Sequence, residues 1–350
     1  MKRITIGQLQ IGKGEPTYII AEIGSNFDGS LQRAKMLIDM VRDCGADAVK
    51  FQCFATDKII SSEGFKDLKM GFQAKWGKPV QDVYKSAEFP REWHNELFYH
   101  ANKRGLHFLS TPYDLEAVGL LDELDIPAFK IGSGDITWHE ILRHVSRKKK
   151  PVILASGAST MAEIDEAIKV VRSEGNEDIV LLQCVTNYPS HFEYANIRAM
   201  KAMGEVFDIL TGYSDHTSGA VVALGAVALG ACVIEKHFTD DKNRKGPDHP
   251  FAMDVKDFKK MVSEIRVLEK ALGSCVKDLY EEEKETVVLQ RRCLRATKDI
   301  SEGSKITADM VDVLRPLSKD SLDPKYKEII MGRKAKVDIK KGDSFTWVKI

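Results

Sequence analysis

Three features are scarce in this sequence of 350 residues, and each scarcity excludes a class of protein. The six cysteines form no Cys-x-x-Cys pair, and most lie in apolar segments, which is typical of reduced thiols in a cytoplasmic protein. Lys plus Arg and Asp plus Glu both number 52, and this lack of net charge argues against a broad nucleic-acid footprint or a polybasic membrane surface. No apolar run approaches the roughly 20 residues of a spanning helix, and the N-terminus has no signal-peptide core. We therefore expect a cytoplasmic protein with no nucleic-acid and no membrane partner.

Short apolar, β-prone segments alternate with segments of helical periodicity over most of the chain. The predicted strands are residues 18–24, 46–52, 106–111, 128–133, 151–156, 179–184, 207–212 and 231–235. Such regular alternation favours an α/β fold of the (β/α)8 TIM barrel type. An open dinucleotide-binding sheet would need Gly-x-Gly-x-x-Gly after its first strand, and residues 24–29 lack that pattern.

Capping residues predict where several helices begin and end. Gly45 is predicted to end the first helix, Pro90 to open one, and Thr137 to cap another. Asp114 and Asp254 are predicted N-caps. The segment from 53 to 88 has weak periodicity and several glycines, which predicts an extended loop with short helices.

The sequence predicts a second, smaller domain at the C-terminal end. We place the barrel at residues 1–277, a charged linker at 278–286, and a small β-rich domain at 287–350. The β-like runs of that domain are 293–297, 335–338 and 345–348, separated by Gly-containing turns. A solvated helix face is an equally good interpretation of the charged linker. About 60 residues form a marginal core, so we expect the small domain to dock on something.

His216 and His237 each lie where an apolar segment gives way to polar residues. If both segments are parallel strands, both imidazoles reach the same rim of the sheet, where neutral imidazoles are good ligands for a divalent transition metal. Each histidine could instead satisfy a local hydrogen bond, but the neighbouring Asp215, Glu235 and Lys236 favour the functional interpretation.

Lysines occur inside two predicted strands, Lys50 and Lys130. A buried lysine is costly unless it points at a negative partner, so two at the same level indicate a bound phosphate or carboxylate. Ser133, Ser156 and the glycines beside them could add donors around that anion. Catalytic groups of this fold come from the carboxyl ends of the strands, which makes the following residues candidates: Glu22, Lys50, Gln52, Thr111, Lys130, Ser133, Asp135, Ser156, Tyr188, Ser214, His216 and His237.

Seven motifs, taken in order, resemble those of the sialic acid synthase family. They are Ala-Glu-Ile-Gly-Ser-Asn (21–26), Val-Lys-Phe-Gln (49–52), Ser-Thr-Pro-Tyr-Asp (110–114), Lys-Ile-Gly-Ser-Gly-Asp (130–135), Gly-Tyr-Ser-Asp-His-Thr (212–217), Ile-Glu-Lys-His-Phe (234–238) and Gly-Pro-Asp-His (246–249). The C-terminal module is similar to the antifreeze-like (SAF) domain of that family. The resemblance implies condensation of phosphoenolpyruvate with an N-acylated hexosamine, typically N-acetylmannosamine, to a nine-carbon 2-keto acid.

The resemblance also implies roles for individual residues. It implies a divalent metal on His216 and His237, usually Mn²⁺, with Mg²⁺ or Co²⁺ as alternatives. Phosphoenolpyruvate would be held by Lys50, Lys130, Ser133, Ser156 and Ser214. Contacts to the sugar would come from Gln52, Tyr188 and Asp248, and from Arg315 of the other subunit in a domain-swapped homodimer. Glu22 would lie near the reacting carbons, and Glu22 and Asp135 are the candidates for proton transfer or electrostatic stabilisation.

Three positions depart from the family pattern where substrate contacts are expected: Phe27, Thr186 and the residues after Arg315. Residues 87–94 are also similar to pseudaminic acid synthases, so pseudaminate or legionaminate synthesis is an alternative. Two rival classes are a metal-dependent barrel aldolase or isomerase and a non-catalytic carbohydrate-binding protein. The first would release no phosphate from phosphoenolpyruvate, and the second leaves the two lysines and two histidines without a role.

Overall fold

The computed structural model describes residues 2–66, 68 and 77–350, and the chain divides into two compact units, Met1–Gly273 and Ser274–Ile350. The elements of the first unit are, in chain order, β1 (Arg3–Ile6), β2 (Leu9–Gly12), β3 (Tyr18–Glu22), α1 (Leu31–Cys44), β4 (Ala48–Cys53), α2 (Thr56–Ile59), α3 (Ser62–Phe65), α4 (Val80–Ala87), α5 (Trp93–Lys103), β5 (His107–Pro112), α6 (Leu115–Glu123), β6 (Phe129–Ile131), α7 (His139–Ser146), β7 (Val152–Ala155), α8 (Met161–Ser173), β8 (Ile179–Cys184), α9 (Ile197–Phe207), β9 (Leu210–Asp215), α10 (Val221–Ala228), β10 (Val233–His237) and α11 (Val255–Leu272). No helix within these described ranges is long and apolar enough to cross a membrane.

Strands β3 to β10 form one parallel sheet in the order β5-β4-β3-β10-β9-β8-β7-β6. The two end strands, β5 and β6, approach each other to within 8 Å between Cα atoms, which closes the sheet. The predicted (β/α)8 TIM barrel is confirmed. In the register of the sheet His237 lies opposite Glu22, and Glu22 lies opposite Lys50, so these side chains share one level at the carboxyl end of the barrel.

The first unit has two apolar cores, one inside the barrel and one between the strands and the helices. The inner core includes Tyr18, Ile20 and Val233 together with residues of the β1–β2 hairpin, which the sequence did not predict. Ile4 and Ile6 of β1 are almost fully buried in it. Each such isoleucine stabilises the fold by about 1.5–3 kcal/mol. The hairpin therefore belongs to the inner core, and the polar site is left to the carboxyl ends of the strands.

Several predicted helix ends agree with the structure. Gly45, at φ 83°, ends α1 as predicted; the N-cap of that helix, Ser30, which accepts from the backbone N–H of Arg33, was not predicted. Asp114 caps α6 through the N–H of Ala117, and Asp254 caps α11 in the same way. Each of these caps satisfies a backbone donor that a helix leaves unpaired.

Several predicted boundaries are wrong, among them the starts of α5, α7 and β9. Helix α5 begins at Trp93 rather than at Pro90, because residues 90–92 form a turn in which the Pro90 carbonyl accepts from the Trp93 N–H at 3.1 Å. Helix α7 begins at His139 after Trp138, and Thr137 makes no capping bond. Strand β9 begins at Leu210, because α9 continues to Phe207.

The segment predicted as an extended loop with short helices contains α2, α3 and α4. Residues 67 and 69–76 of that segment lie outside the described residues. The carboxylate of Glu88, just after α4, accepts from the N–H of Thr56 at 3.0 Å and from its hydroxyl at 2.7 Å. This pair of bonds ties the start of α2 to the end of α4.

The second unit has its own core and little regular structure. Its elements are α12 (Lys284–Gln290), β11 (Cys293–Ala296), β12 (Val311–Leu314), α13 (Lys327–Ile330) and three 3₁₀ helices (Glu281–Glu283, Ala308–Met310 and Pro324–Tyr326). The predicted strand at 293–297 is present as β11, whereas 335–338 and 345–348 are not strands. Apolar residues in those two segments, such as Phe345, are buried individually in the core. Near them the backbone forms only isolated β-bridges, such as the bridge between Ile300 and Ile339. The predicted linker, 278–286, includes the 3₁₀ helix Glu281–Glu283 and the first residues of α12, and all of its residues are exposed.

Candidate active site

The strand alternation that fills the barrel also places charges at its carboxyl end. Side chains two residues apart on a strand share a face, so Glu22 follows Ile20, and Glu235 follows Val233, on the inward face. Lys50 follows Ala48 in the same manner, and Glu22, Lys50 and Glu235 are all at most 3% exposed. Buried charges of this kind are stable only when they are paired.

These three charges and Lys130 form one alternating group, which we call the charge quartet: Glu22, Lys50, Glu235 and Lys130. The ammonium of Lys50 lies 2.7 Å from Oε2 of Glu22 and 3.6 Å from Oε1 of Glu235. The ammonium of Lys130 lies 2.8 Å from the same Oε1 of Glu235. The two lysines, from β4 and β6, therefore converge on one oxygen atom.

The quartet controls the acidity of its own members. Burial alone raises the pKa of Glu235, but the charges of Lys130 and Lys50 outweigh it and hold that pKa at about 2. Burial raises the pKa of Glu22, and Lys50 offsets this only in part. Burial lowers the pKa of Lys50, and the two glutamates more than restore it. Glu235 is therefore the member of the quartet that stays ionised as the pH changes around neutrality.

The imidazole rings of His216 and His237 lie side by side, with ring centroids 5.3 Å apart. His216 follows β9 directly, and its Nδ1 bonds the Val185 carbonyl at 2.8 Å, which fixes the ring and leaves Nε2 for another ligand. Nδ1 of His237 is buried and has no hydrogen-bond partner. Burial lowers the pKa of His237, and nearby positive charges lower it further, so this ring is neutral at neutral pH.

The two histidines could hold a divalent metal ion. Imidazole nitrogens coordinate such ions at about 2.0–2.1 Å, so two rings this close can share one ion. A buried nitrogen without a hydrogen-bond partner destabilises the fold unless a ligand binds it. Within residues 2–66, 68 and 77–350, no group of three or more His, Cys, Asp or Glu side chains is placed to hold a metal. The remaining ligands would then be water or substrate, as in open catalytic sites.

The predicted anion-binding serines lie around the same end of the barrel. The hydroxyl of Ser133 accepts from the Gly157 N–H at 3.0 Å, and that of Ser156 donates to the Leu182 carbonyl at 2.9 Å. A Cβ atom on Gly157 would lie 2.0 Å from Oγ1 of Thr186, so only glycine fits there. That Thr186 hydroxyl is buried without a partner, which leaves it available to a ligand.

Asp135 and Asp248 are two further acidic residues at this end. Asp135 lies in a 3₁₀ turn after β6, its Oδ2 is buried without a partner, and burial raises its pKa to about 6. Oδ2 of Asp248 accepts from the N–H of Ser25 at 2.9 Å and from its hydroxyl at 3.0 Å. Gly24, at φ 54°, allows this approach, since a Cβ there would lie 2.4 Å from that oxygen. Burial raises the pKa of Asp248 as well.

A second group of charges joins the loop after β3 to the loop after β10, and we call it the loop latch. Oδ1 of Asp28 lies 2.9 Å from Nε2 of the fully buried His249, and its Oδ2 accepts from Arg244 at 2.6 Å. Arg33 pairs with Asp28 at 3.2 Å, and the Thr239 hydroxyl bonds Nδ1 of His249 at 2.7 Å. Because His249 follows Asp248 directly, the latch holds Asp248 in place.

A pocket of about 170 Å³ opens beside the histidines. Its polar side is formed by Ser25, Gln52, Tyr188, His237 and Asp248. The amide of Gln52 donates to Glu22 at 2.7 Å, so the pocket and the charge quartet are directly connected.

The structure brings the predicted barrel residues to one end of the first unit. The strands carry Glu22, Lys50, Gln52, Thr111, Lys130, Ser214 and His237, and the segments after them carry Ser133, Asp135, Ser156, Tyr188, His216 and Asp248. Thr111 accepts from Lys50 at 3.2 Å, and Ser214 donates to Glu235 at 3.2 Å. Arg315 belongs to the second unit, where its Nε donates to the Gln290 carbonyl at 2.7 Å.

Two site features were not predicted, and one expectation is wrong. The sequence prediction includes Glu235, the anion shared by both lysines, only as a neighbour of His237, although its position two residues earlier on the same strand face indicates that it also faces the site. The loop latch has no local sequence signal, because Asp28 and His249 are far apart in the chain. Phe27, expected near substrate, instead packs edge-on against Phe89 at 5.1 Å in the outer core.

A closed barrel with an ion-paired, partly unsatisfied polar site at its carboxyl end has the architecture of a barrel enzyme. The chain belongs to the NeuB family, the sialic acid synthases, which residues 37–277 match; residues 291–350 match the SAF domain. The resemblance predicted from the sequence is thereby confirmed.

Individual relatives extend the likeness over nearly the whole chain. An uncharacterized protein of Methanocaldococcus jannaschii is 42% identical over 347 residues, 99% of this chain and 98% of that one. The N,N'-diacetyllegionaminic acid synthase of Campylobacter jejuni is 41% identical over 303 residues, 86% of this chain and 90% of that one. A crystal structure of N-acetylneuraminic acid (sialic acid) synthetase from Leptospira borgpetersenii, in complex with citrate, superposes with a TM-score of 0.72 at 30% identity, covering 82% of this chain and 95% of that one.

Proposed function

We propose that this chain condenses phosphoenolpyruvate with an N-acylated hexosamine, giving a nine-carbon 2-keto sugar acid and inorganic phosphate. The observation that carries the proposal is the convergence of Lys50 and Lys130 on one oxygen of Glu235, at the same end of the barrel as the buried, unpartnered nitrogen of His237. The names of the synthase relatives support the same class of product. N-acetylmannosamine, with N-acetylneuraminate as the product, is the substrate expected from the sequence.

Phosphoenolpyruvate would bind at the charge quartet. The quartet has two cations and two anions, so the incoming anion competes with Glu235 for the ammonium donors. Lys130 is suited to this exchange, since within the described residues Glu235 is the only acceptor found for its three N–H groups. Ser133, Ser156 and Ser214 would add hydroxyl or backbone donors, as would Thr111.

His216 and His237 would hold the divalent metal, with Mn²⁺ preferred and Mg²⁺ or Co²⁺ as alternatives. When bound there, such an ion supplies a Lewis acid that polarises the aldehyde of the open-chain sugar. The hydrogen bond from Nδ1 of His216 to the Val185 carbonyl keeps that ring in a fixed orientation, and Tyr188 packs on the ring with centroids 4.2 Å apart. The orientation of His216 is thus fixed before substrate arrives.

The reaction would proceed at the boundary between the quartet and the pocket. C3 of phosphoenolpyruvate forms a bond with the aldehyde carbon, whose oxygen gains a proton, and water then adds at C2. The bond between C2 and the phosphate oxygen breaks, and phosphate leaves. Asp135, with a pKa of about 6, can give or take a proton near neutral pH, and Glu22 would stabilise positive charge at C2. Gln52, Tyr188 and Asp248 would contact the sugar.

The assay follows from the proposed products. Protein supplied with phosphoenolpyruvate, MnCl₂ and a panel of N-acylated hexosamines should release phosphate and form a 2-keto acid in equal amounts, and ¹⁸O at the bridging position should appear in the phosphate. Consumption of a sugar without phosphoenolpyruvate would establish an aldolase or isomerase instead. The variant His216→Ala should lose turnover while its circular dichroism is unchanged; full activity in that variant would remove the metal assignment.

We further propose a domain-swapped homodimer in which Arg315 contacts the sugar in the partner's barrel, acting in the cytoplasm. The separate cores of the two units support the exchange of domains, and the six free cysteines support the cytoplasmic location. Mixed dimers of His216→Ala and Arg315→Ala chains test it. Random mixing of the two variants gives mixed dimers in half of all cases. A mixed dimer has one intact site only if Arg315 acts across subunits. About a quarter of wild-type activity should therefore return. No recovery would contradict the exchange.

A further inference from the structure

Two buried charged residues lie directly beside the histidines, and the proposed reaction does not use them. Asp215 is the last residue of β9 and precedes His216. Lys236 lies in β10 and precedes His237. The two charged residues are opposite each other in the register of the sheet, and each is 1% exposed. They are therefore the chain neighbours of both histidines that we propose as metal ligands.

This pair of charges lies on the face of the sheet that is turned to the helices. Successive side chains of a strand point to opposite faces, so Lys236 shares the face of Ile234. Asp215 shares the face of Tyr213 for the same reason. Both Ile234 and Tyr213 belong to the outer core. Neither Asp215 nor Lys236 is among the described residues that line the pocket, so the pair acts on the site only through its neighbours.

The contacts of the pair enclose the backbone of His216, and we call them the strand brace: Asp215, Thr217 and Lys236. The ammonium of Lys236 lies 2.7 Å from Oδ2 of Asp215, and it also donates to the carbonyl of Thr217. Oδ1 of Asp215 accepts from the N–H of Thr217 at 2.8 Å and from its hydroxyl at 2.7 Å. Lys236 thus bonds the residues on both sides of His216, and it is itself joined by a peptide bond to His237.

Stability alone does not account for the strand brace. A buried ion pair loses the hydration of both charges, and its replacement by apolar side chains of similar volume is often neutral or stabilising. Apolar side chains would suit this face, because Tyr213 and Ile234 are already packed there. Bonds between ionised groups are short and directional, so the pair fixes the position of one strand end against the other.

We propose that the strand brace positions the two histidines, by holding the ends of β9 and β10 so that the rings of His216 and His237 can share one divalent ion. Asp215 and Lys236 are thus positioning residues, and this inference rests on the proposed metal site. The bond to the Val185 carbonyl orients the ring of His216, whereas the brace fixes the strand end that carries it. Binding sites tolerate displacements of about 0.5 Å, so a shift between the two strand ends weakens both ligands together.

A double variant removes the brace without leaving a buried charge. In Asp215→Asn/Lys236→Met, asparagine keeps the oxygen that accepts from Thr217, and methionine keeps much of the length of lysine. Lys236→Met alone would leave the carboxylate of Asp215 buried without its cation. The matched control, Asp122→Asn/Lys148→Met, makes the same changes in an ion pair of 2.9 Å between α6 and the segment before β7, at the amino end of the strands.

Manganese binding, followed by electron paramagnetic resonance, is the first measurement. We expect the Kd for Mn²⁺ to rise by about 10- to 100-fold in the double variant and to stay unchanged in the control. Asp215→Asn alone keeps the bond from Lys236 to the Thr217 carbonyl and should give an intermediate Kd. The KM for phosphoenolpyruvate should be nearly unchanged, because the charge quartet lies on the inner face. A wild-type Kd in both brace variants would overturn the inference.

Crystal structures without metal separate this inference from the proposed function. The ring centroids of His216 and His237 are 5.3 Å apart in the wild type, and we expect this distance to change by more than about 0.5 Å in the double variant. If the wild type binds no Mn²⁺, the proposed metal site fails, and the distance between the rings still tests the brace. Rings at the wild-type positions in the double variant would overturn the positioning role.

Discussion

Glu235 shows how single residues at the site depend on particular neighbours. It receives the ammonium groups of Lys130 and Lys50 on one oxygen, together with the hydroxyl of Ser214. Removal of one partner from such a buried group leaves an uncompensated charge, whereas removal of both partners can be nearly neutral. The stability of the fold is therefore sensitive to the loss of any single member of the group that we propose binds an anion.

The variant Lys130→Met tests that dependence. We expect its free energy of unfolding to fall by about 3 kcal/mol, because Glu235 is left buried with only the more distant Lys50. Urea unfolding at neutral pH measures the change. The double variant Lys130→Met/Glu235→Gln should recover part of the loss, and Lys201→Met, whose side chain is 59% exposed, should have no effect. A loss below about 0.5 kcal/mol would contradict the burial argument.

Asp135 makes a pH-dependent contribution to stability. Its folded pKa is about 6, above the value of 3.8 that it has when exposed, so the folded state holds the proton more tightly. Its contribution is favourable below pH 4 and is lost as the pH rises through 6. Allowing for its partial exposure, we expect Asp135→Asn to raise the free energy of unfolding at pH 7.5 by about 2 kcal/mol. Unfolding measured at both pH values checks this: the gain should vanish near pH 4, and an equal gain at both would contradict it.

At the scale of elements, the barrel strands supply many of the side chains of the site, and the loops hold the site in position. The loop latch connects the segments that follow β3 and β10 and so fixes Asp248. Strand β8 agrees with its predicted bounds, 179–184, because a continuous run of apolar residues is buried on both faces. Strand β9 was misplaced by three residues, since Phe207 suits the end of an apolar helix as well as the start of a strand.

The variant Asp28→Asn should act on sugar binding rather than on the chemical step. Asn tolerates the left-handed conformation of residue 28, at φ 49°, but it loses the charge that pairs with Arg244 and Arg33. We expect KM for the hexosamine to rise by about 10-fold, with kcat and KM for phosphoenolpyruvate nearly unchanged. Asp125→Asn, also left-handed at φ 56°, is the matched control. A fall in kcat alone would contradict a positioning role.

At the scale of the whole molecule, the two units have separate apolar cores. The barrel cores lie in Met1–Gly273, and the third core, which includes Leu294, Ile339 and Phe345, lies in Ser274–Ile350. No core cluster within the described residues combines side chains of both units. Each unit can therefore unfold as a cooperative part of its own.

A fragment of residues 1–273 should keep the fold of the barrel. We expect calorimetry to show one cooperative transition, within about 5 °C of the barrel transition of the full chain, because the fragment retains both cores of the first unit. Far-ultraviolet circular dichroism checks its helix content. Loss of the cooperative transition would show that the second unit stabilises the first.

The sequence by itself determined the barrel and the polar end of its strands. Strand and helix periodicities are local, and polar residues that end apolar strands, such as Lys50 and His237, can be recognised without any knowledge of their partners. Local reasoning also located the caps at Asp114 and Asp254, where a side chain and its backbone partner are three residues apart.

Only the tertiary structure decided which charges meet. Glu235 joins Lys50 and Lys130 across the closed barrel, and Asp28 meets His249, over 200 residues away, through the neighbouring positions of β3 and β10. The apolar side of the pocket, which includes Phe54, Ile59 and Val83, likewise depends on how two short helices fold back beside it. Such contacts are set by closure of the sheet, and no pattern within a single segment encodes them.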